Sequence, residues 1–363
     1  MVFHLGDSSP TKHNHYGLFY WPFVIINNVK NLKRPNKKLY VDMSKHMTSS
    51  TETLDAIIHE VIDWKPSTIK RLVLGVGNEV YKLTAPIANK PDLILRINHK
   101  EHPEFNTEKW AFNEVNKQGV SVPSVLKVAS FKTQDEVLTY CVETVLSGES
   151  LDMLLESGLD ETEKRHYAQL AGETLARIHQ VKTTGYGHWL TNGIGRYKTL
   201  AASMHQQKDY SDLVSAATLT ELTVSELNQA IGLVDNVNSQ EETHLIHCDY
   251  APKHIFIDKG KVSGVIDFEI CLSGLAATDF NRWRAQESRI TMEELITGYE
   301  HIRPLPTDFW EFMYIAQIHS AIRTMLYHFR TTKHLVELNK AANEVCILDV
   351  CRRKFTLKRG DPA

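Results

Sequence analysis

Apolar and polar positions along the chain fall into two stretches with different rhythms. From Ser50 the spacing is helical. Ser50 or Thr51 can cap a first turn, and Leu54, Ile57, Ile58 and Val61 share one face, with Pro66 as the stop. The rhythm then becomes strand-like, in the runs Arg71–Leu74, Val80–Leu83 and Leu93–Ile97, broken by Gly75, Gly77, Asn78, Pro86 and Pro91. A helix follows from Asn106 to Gln118, stopped by Gly119, and then two more strand candidates at 124–131 and 137–144. Strands with one helix over roughly 90 residues predict a small α+β lobe.

From Leu151 the pattern is mostly helical. Asp160 with Glu163 forms a capping box for a helix reaching His179, and Tyr167, Ala171, Leu175 and Ile178 share its inner face. A hairpin interrupts at 255–266, turning at Lys259-Gly260. Helices return after Asp279, at 308–330 and at 335–352.

Composition adds bounds. The chain has 363 residues, a soft prior of two domains at roughly 150 residues each. Its 41 Lys and Arg against 44 Asp and Glu give a net charge of −3, which removes the main reason to expect a nucleic-acid partner. Five scattered cysteines (Cys141, Cys248, Cys271, Cys346 and Cys351) form no CxxC pair and read as reduced thiols in a cytoplasmic protein. The most apolar stretch, Leu18–Ile26, is interrupted by Pro22 and is too short to span a membrane. Its lysines follow rather than precede it, unlike a signal peptide. The first 48 residues hold seven basic residues against two acids. They read either as a poorly ordered basic extension or as sequence upstream of a natural start at Met43 or Met47.

The segment His247-Cys-Asp249-Tyr-Ala-Pro-Lys-His254, followed by Ile266-Asp267-Phe-Glu269, carries the chemistry. Asp249 begins a polar loop after an apolar run, His254 stands at the mouth of the hairpin's first strand, and Asp267 ends its second strand, 18 residues after Asp249. A hairpin returns the chain to its starting end, so two carboxylates and one further ligand converge. Phosphoryl transfer needs such a set: one carboxylate to orient the attacking hydroxyl, and further ligands for magnesium on the nucleotide phosphates.

This segment resembles the His-Gly-Asp…Asn…Ile-Asp-Trp-Glu signature of the aminoglycoside phosphotransferase family, small-molecule kinases distantly related to protein kinases. The resemblance implies that Asp249 is the catalytic base and that His254 and Asp267 are magnesium ligands. Leu74-Gly75-Val-Gly77-Asn78 resembles the family's glycine loop over the phosphates. Arg96 falls at the phosphate-contacting cation of the third strand, and Glu108 at the helix residue that pairs with it. Glu143 and Thr144 fall on the hinge strand that meets the base, and Asp279 at a residue bracing the catalytic loop. Lesser landmarks match at Leu175–His179 and Gly185–Gly187, and the likeness runs over about residues 66–330.

It implies a two-lobed α+β fold, with a nucleotide-binding small lobe over 50–143 and a catalytic, acceptor-binding larger lobe over 147–356. The implied activity is transfer of the γ-phosphate of ATP or GTP, with Mg2+, to a hydroxyl of a small molecule, by a monomer or homodimer with no nucleic-acid or membrane partner. The departures are His254 for the usual Asn, Cys248 for Gly, Leu275 for Asp and Arg96 for Lys. None removes the base or Asp267, so activity is expected. The acceptor stays open at this stage: an aminoglycoside, for which the acids Glu287, Glu293, Glu294, Glu300, Asp308 and Glu311 lie in the right region, as they would on any helical surface; a macrolide, which the Phe, Trp and Met of the same region would suit; or an amino alcohol or sugar. The competing class is a nucleotide-binding regulatory module without catalysis.

Overall fold

The computed structural model describes residues 49–72, 78–99, 104–134, 136–205, 209–239, 241–287, 289–332 and 335–345. The basic first 48 residues, Gly75, Gly77, Cys346 and Cys351 lie outside them.

The small lobe opens with α1 (Thr51–Val61), capped by the Ser50 hydroxyl, which accepts from the Thr53 amide. Pro66 is not its stop. The helix ends at Ile62, where the backbone turns extended. Five antiparallel strands follow: β1 (Thr68–Leu72), β2 (Glu79–Thr84), β3 (Leu93–Asn98), β4 (Val125–Lys132) and β5 (Val137–Thr144), in the order β1-β2-β3-β5-β4. The two-residue period of a strand sorts their side chains. Leu93, Leu95, Ile97, Leu138, Tyr140 and Val142 join Ile57 and Ile58 in a core beneath α1. Arg96, Asn98, Cys141 and Glu143 alternate with them and therefore point to the opposite face, with Arg96 paired across to Cys141.

Helix α2 (Phe105–Lys117) lies between β3 and β4 in the chain, yet its apolar face belongs to the larger lobe. Ala111, Phe112 and Val115 join that lobe's core, and Phe112 packs edge-on against Phe268 with ring centroids 5.6 Å apart.

The larger lobe contains β6 (Glu149–Ser150), α3 (Leu151–Ser157), α4 (Glu161–Ile178), β7 (Tyr186–Thr191), β8 (Ile194–Tyr197), α5 (Leu200–Met204), α6 (Tyr210–Ala217) and α7 (Val224–Asp235). Then come β9 (His244–Ile246), a 3-10 turn at Pro252–His254, β10 (Ile255–Asp258), β11 (Lys261–Val265) and β12 (Leu272–Gly274). It closes with α8 (Ala277–Gln286), α9 (Met292–Glu300), α10 (Phe309–Tyr327), a π-helical turn at His328–Thr332 and a helical stretch over 335–345. The Asp160–Glu163 capping box of α4 is present in both directions. Lys259 and Gly260 both take positive φ, as a two-residue hairpin turn requires. The sequence reading missed the sheet β8-β7-β12-β9. Its strands are three to six residues long, too short for periodicity to register.

Helices α4 and α9 approach until backbone meets backbone. A Cβ on Gly172 would strike the Leu295 carbonyl, and one on Gly298 the Gln169 carbonyl. No helix among the described residues is long and apolar enough to cross a membrane.

Candidate active site

The close pair α4–α9 sets the floor of the site. His179, at the end of α4, faces Tyr299 of α9 through Nδ1 at 3.1 Å and Asp279 of α8 through Nε2 at 3.1 Å. Asp279 is fully buried and accepts the backbone N–H groups of His247 (2.8 Å) and Cys248 (2.7 Å). One carboxylate thus fixes the turn that carries Asp249. His247 completes the turn: its Nδ1 accepts from the Asp249 amide at 3.2 Å, and its Nε2 donates to the Ile266 carbonyl at 3.0 Å. Burial holds its ring in the neutral form. Cys248 sits at φ 67° and Asp267 at φ 69°, both in the left-handed region. Glycine is the residue that adopts it freely, so the strain at Cys248 marks why glycine is usual there.

Asp249, His254 and Asp267 come together, with one ligand atom from each within 4.8 Å of the others. His254 faces the Asp249 carbonyl through Nδ1 at 2.9 Å and Asp267 Oδ2 through Nε2 at 3.0 Å. A carbonyl only accepts, so Nδ1 carries a hydrogen toward the Asp249 carbonyl, while Nε2 lies against the Asp267 carboxylate. The donor set, one imidazole nitrogen and two carboxylates, fits a divalent ion. Burial raises the Asp267 carboxyl, but the hydrogen bond and charge of His254, with Arg96, outweigh it and hold the group far below the usual carboxylate range.

On the small-lobe side, Arg96 is surrounded by acids. Its Nη1 lies 2.6 Å from Glu108 and 3.8 Å from Glu143, and its Nη2 3.0 Å from Glu269. Its guanidinium also stacks over Phe105 at 5.0 Å. The buried Glu108 accepts from the Phe268 amide at 3.0 Å, so one side chain ties the cation of β3 to the Asp267-Phe-Glu segment. Asn78 donates to Glu269 at 2.7 Å and accepts from Asn98 at 2.6 Å. Glu143 is the surplus acid. Burial pushes its carboxyl up, Arg96 offsets this only partly, and its Oε2 has no hydrogen-bond partner among the described residues.

The residues expected from the sequence divide accordingly. Asp249, His254 and Asp267 form one cluster, and Asn78, Arg96, Glu108, Glu143 and Glu269 form the network beside it. Thr144 stands apart: its hydroxyl accepts from the Ser124 amide at 2.9 Å, securing the end of β5. Gly75 and Gly77 lie outside the described residues. Of the acids flagged for a cationic acceptor, Glu287 pairs with Arg289 and Glu294 with Arg165, while Glu293, Glu300, Asp308 and Glu311 are exposed.

Sequence reasoning missed what α8 presents to Asp249. Arg282 reaches its Oδ1 through Nε at 2.8 Å and Nη2 at 2.6 Å, and Gln286 donates to the same oxygen at 2.7 Å. Lys253 lies 3.1 Å from Oδ2. Burial raises the Asp249 carboxyl, but the charges of His254, Arg282 and Lys253 prevail and hold it below its ordinary range. The signal was the spacing: Asp279, Arg282 and Gln286 form one polar stripe along α8.

Comparison with known proteins bears on the family and the fold. The sequence model of the phosphotransferase enzyme family matches residues 68–303. A curated relative, hygromycin-B 4-O-kinase of Escherichia coli, is 26% identical over 193 residues, 50% of this chain and 52% of the relative. The match thus spans about half the length of that relative. Among solved structures, aminoglycoside phosphotransferase APH(4)-Ia superposes with a TM-score of 0.60 at 18% identity, covering 82% of this chain and 98% of that one. The ADP-bound aminoglycoside phosphotransferase APH(2'')-Ib gives 0.54 at 13% identity, covering 83% and 99%. At these identities the likeness is one of fold: a two-lobed, protein-kinase-like α+β architecture with a β-rich small lobe and a mostly helical larger lobe.

Proposed function

The chain belongs to the phosphotransferase enzyme family, and from that premise we propose that it transfers the γ-phosphate of a nucleoside triphosphate to a hydroxyl of a small molecule. The observation that carries this reading is the convergence of Asp249, His254 and Asp267 beside a buried cation, Arg96, at the junction of the lobes. Asp249 orients the acceptor hydroxyl and takes its proton as the hydroxyl oxygen bonds to the γ-phosphorus. The bond from that phosphorus to the β–γ bridging oxygen breaks, and the nucleoside diphosphate leaves. Arg96, held by Glu108, contacts the phosphates, with Asn78 beside it; Gly75 and Gly77 are assigned to the same role from their motif alone. Glu143 and Thr144 lie on the strand leading to the base-binding hinge. His254 and Asp267 would hold magnesium, which neutralises charge on the phosphate oxygens.

The relative at 26% identity makes hygromycin B the first acceptor to test, with ATP and GTP supplied separately. Macrolides, amino alcohols and sugars complete the panel. Release of ADP or GDP that depends on acceptor and magnesium is expected. Asp249→Ala should reduce it by about 10²–10⁴-fold, the worth of a positioned base. Wild-type rates in that variant would overturn the assignment of Asp249. Nucleotide binding without turnover on any acceptor would favour the regulatory module instead.

A further inference from the structure

We propose that Arg282 and Gln286 are positioning residues for Asp249, gripping one carboxylate oxygen so that the other is left for the acceptor hydroxyl. This rests on the phosphotransfer reading and goes beyond it, since neither residue belongs to the motifs that suggested the reaction. Three donor atoms from one face of α8 converge on Oδ1, at 2.6, 2.7 and 2.8 Å. Oδ2, by contrast, is ion-paired with Lys253 Nζ at 3.1 Å and makes no further hydrogen bond among the described residues. A buried carboxylate oxygen with so few partners calls for a reason. Here the asymmetry supplies one: Oδ1 is held by three donor atoms of one helix, and Oδ2 by a single lysine whose side chain is 39% exposed and can give way to an acceptor hydroxyl.

The same helix supplies the frame. Asp279 fixes the backbone of residues 247 and 248, while Arg282 and Gln286, one and two turns further on, fix the side chain that follows. Backbone and carboxylate of the base are thus referenced to one rigid element, the arrangement that holds a reactive atom within tenths of an ångström. Arg282 is largely enclosed, its side chain 11% exposed, whereas Gln286 lies exposed at the cleft edge.

The test is steady-state kinetics on the full chain, following ADP or GDP release with hygromycin B and with water as acceptors. Arg282→Gln should lower kcat by about 10–100-fold, the scale of a base displaced by less than an ångström, with the nucleotide KM within about twofold of wild type. Arg282→Lys should restore part of the loss, since it returns a cation without the planar geometry. Gln286→Leu should cost about 3–10-fold in kcat, a smaller share of the same grip. Should Arg282→Gln fail to fold, Gln286→Leu and Arg282→Lys carry the test, because Gln286 is exposed and Lys keeps the charge. Unchanged kcat in Gln286→Leu and Arg282→Gln overturns the proposal, as does a loss shared equally between kcat and nucleotide affinity. A wild-type chain that binds nucleotide and releases no product overturns the phosphotransfer reading and this inference with it. An active wild type with indifferent variants overturns the inference alone.

Discussion

Cys248 shows how a single dihedral angle constrains chemistry. The turn that delivers Asp249 needs φ near 67° at the preceding residue, and the chain meets that need without glycine. A β-branched side chain there has no comfortable rotamer. Cys248→Val should therefore lower unfolding stability by about 1–3 kcal/mol, whereas Cys248→Gly should leave it unchanged or raise it by up to about 1 kcal/mol. Chemical denaturation of the three proteins checks this, and equal midpoints for Val and Cys would refute it. The thiol contributes no nucleophile, because burial pushes it well above its ordinary range. At this scale much was legible. Asp249, His254 and Asp267 could be picked from residue type and spacing, because a hairpin places them by local geometry, while Arg96 and Glu108 came only from the resemblance to the phosphotransferase family. Arg282 and Gln286 could not, since on a helix of unknown docking they look like surface residues. The engagement of Glu269 with Arg96 and Asn78 depends on how the lobes meet, which no short stretch of sequence contains.

Helices α4 and α9 carry a requirement out of proportion to their distance from the cleft. Gly172 and Gly298 each lie against the partner helix's backbone, and the contact sets where His179 and Tyr299 stand around Asp279. Gly298→Ala should force the pair apart. The expected loss is about 1–3 kcal/mol in stability, the cost of overpacking against backbone that cannot yield. Because Asp279 holds the catalytic turn, turnover should fall more than nucleotide affinity. A thermal midpoint and kcat both equal to wild type would contradict this. Long elements were legible for a physical reason. α4 has 18 residues, a capping box and a repeating apolar face, so its own sequence specifies it. β9 and β12 have three residues each and exist only because they pair with one another and with β7, far away in sequence. Their information lies in tertiary contacts, which no local window contains.

Across the whole molecule, the two lobes are joined by charge as well as by the chain. α2 packs into the larger lobe's core, so Glu108 moves with that lobe while Arg96 belongs to the sheet. Arg96 accordingly bridges the lobes through Glu108 and Glu269, and Asn78 adds a second link to Glu269. In the proposed reading these are also groups that meet the phosphates. The protein's own carboxylate therefore occupies the seat that an incoming anion needs, and nucleotide capture becomes an exchange reaction rather than a simple docking. Such a mechanism has a kinetic signature. The observed association rate should level off at high nucleotide concentration, at the rate with which Glu269 lets go of Arg96. In Glu269→Gln the internal competitor loses its charge, so the plateau should rise or vanish. Stopped-flow binding of a fluorescent nucleotide distinguishes the cases, and a strictly linear dependence in the wild type would refute the idea.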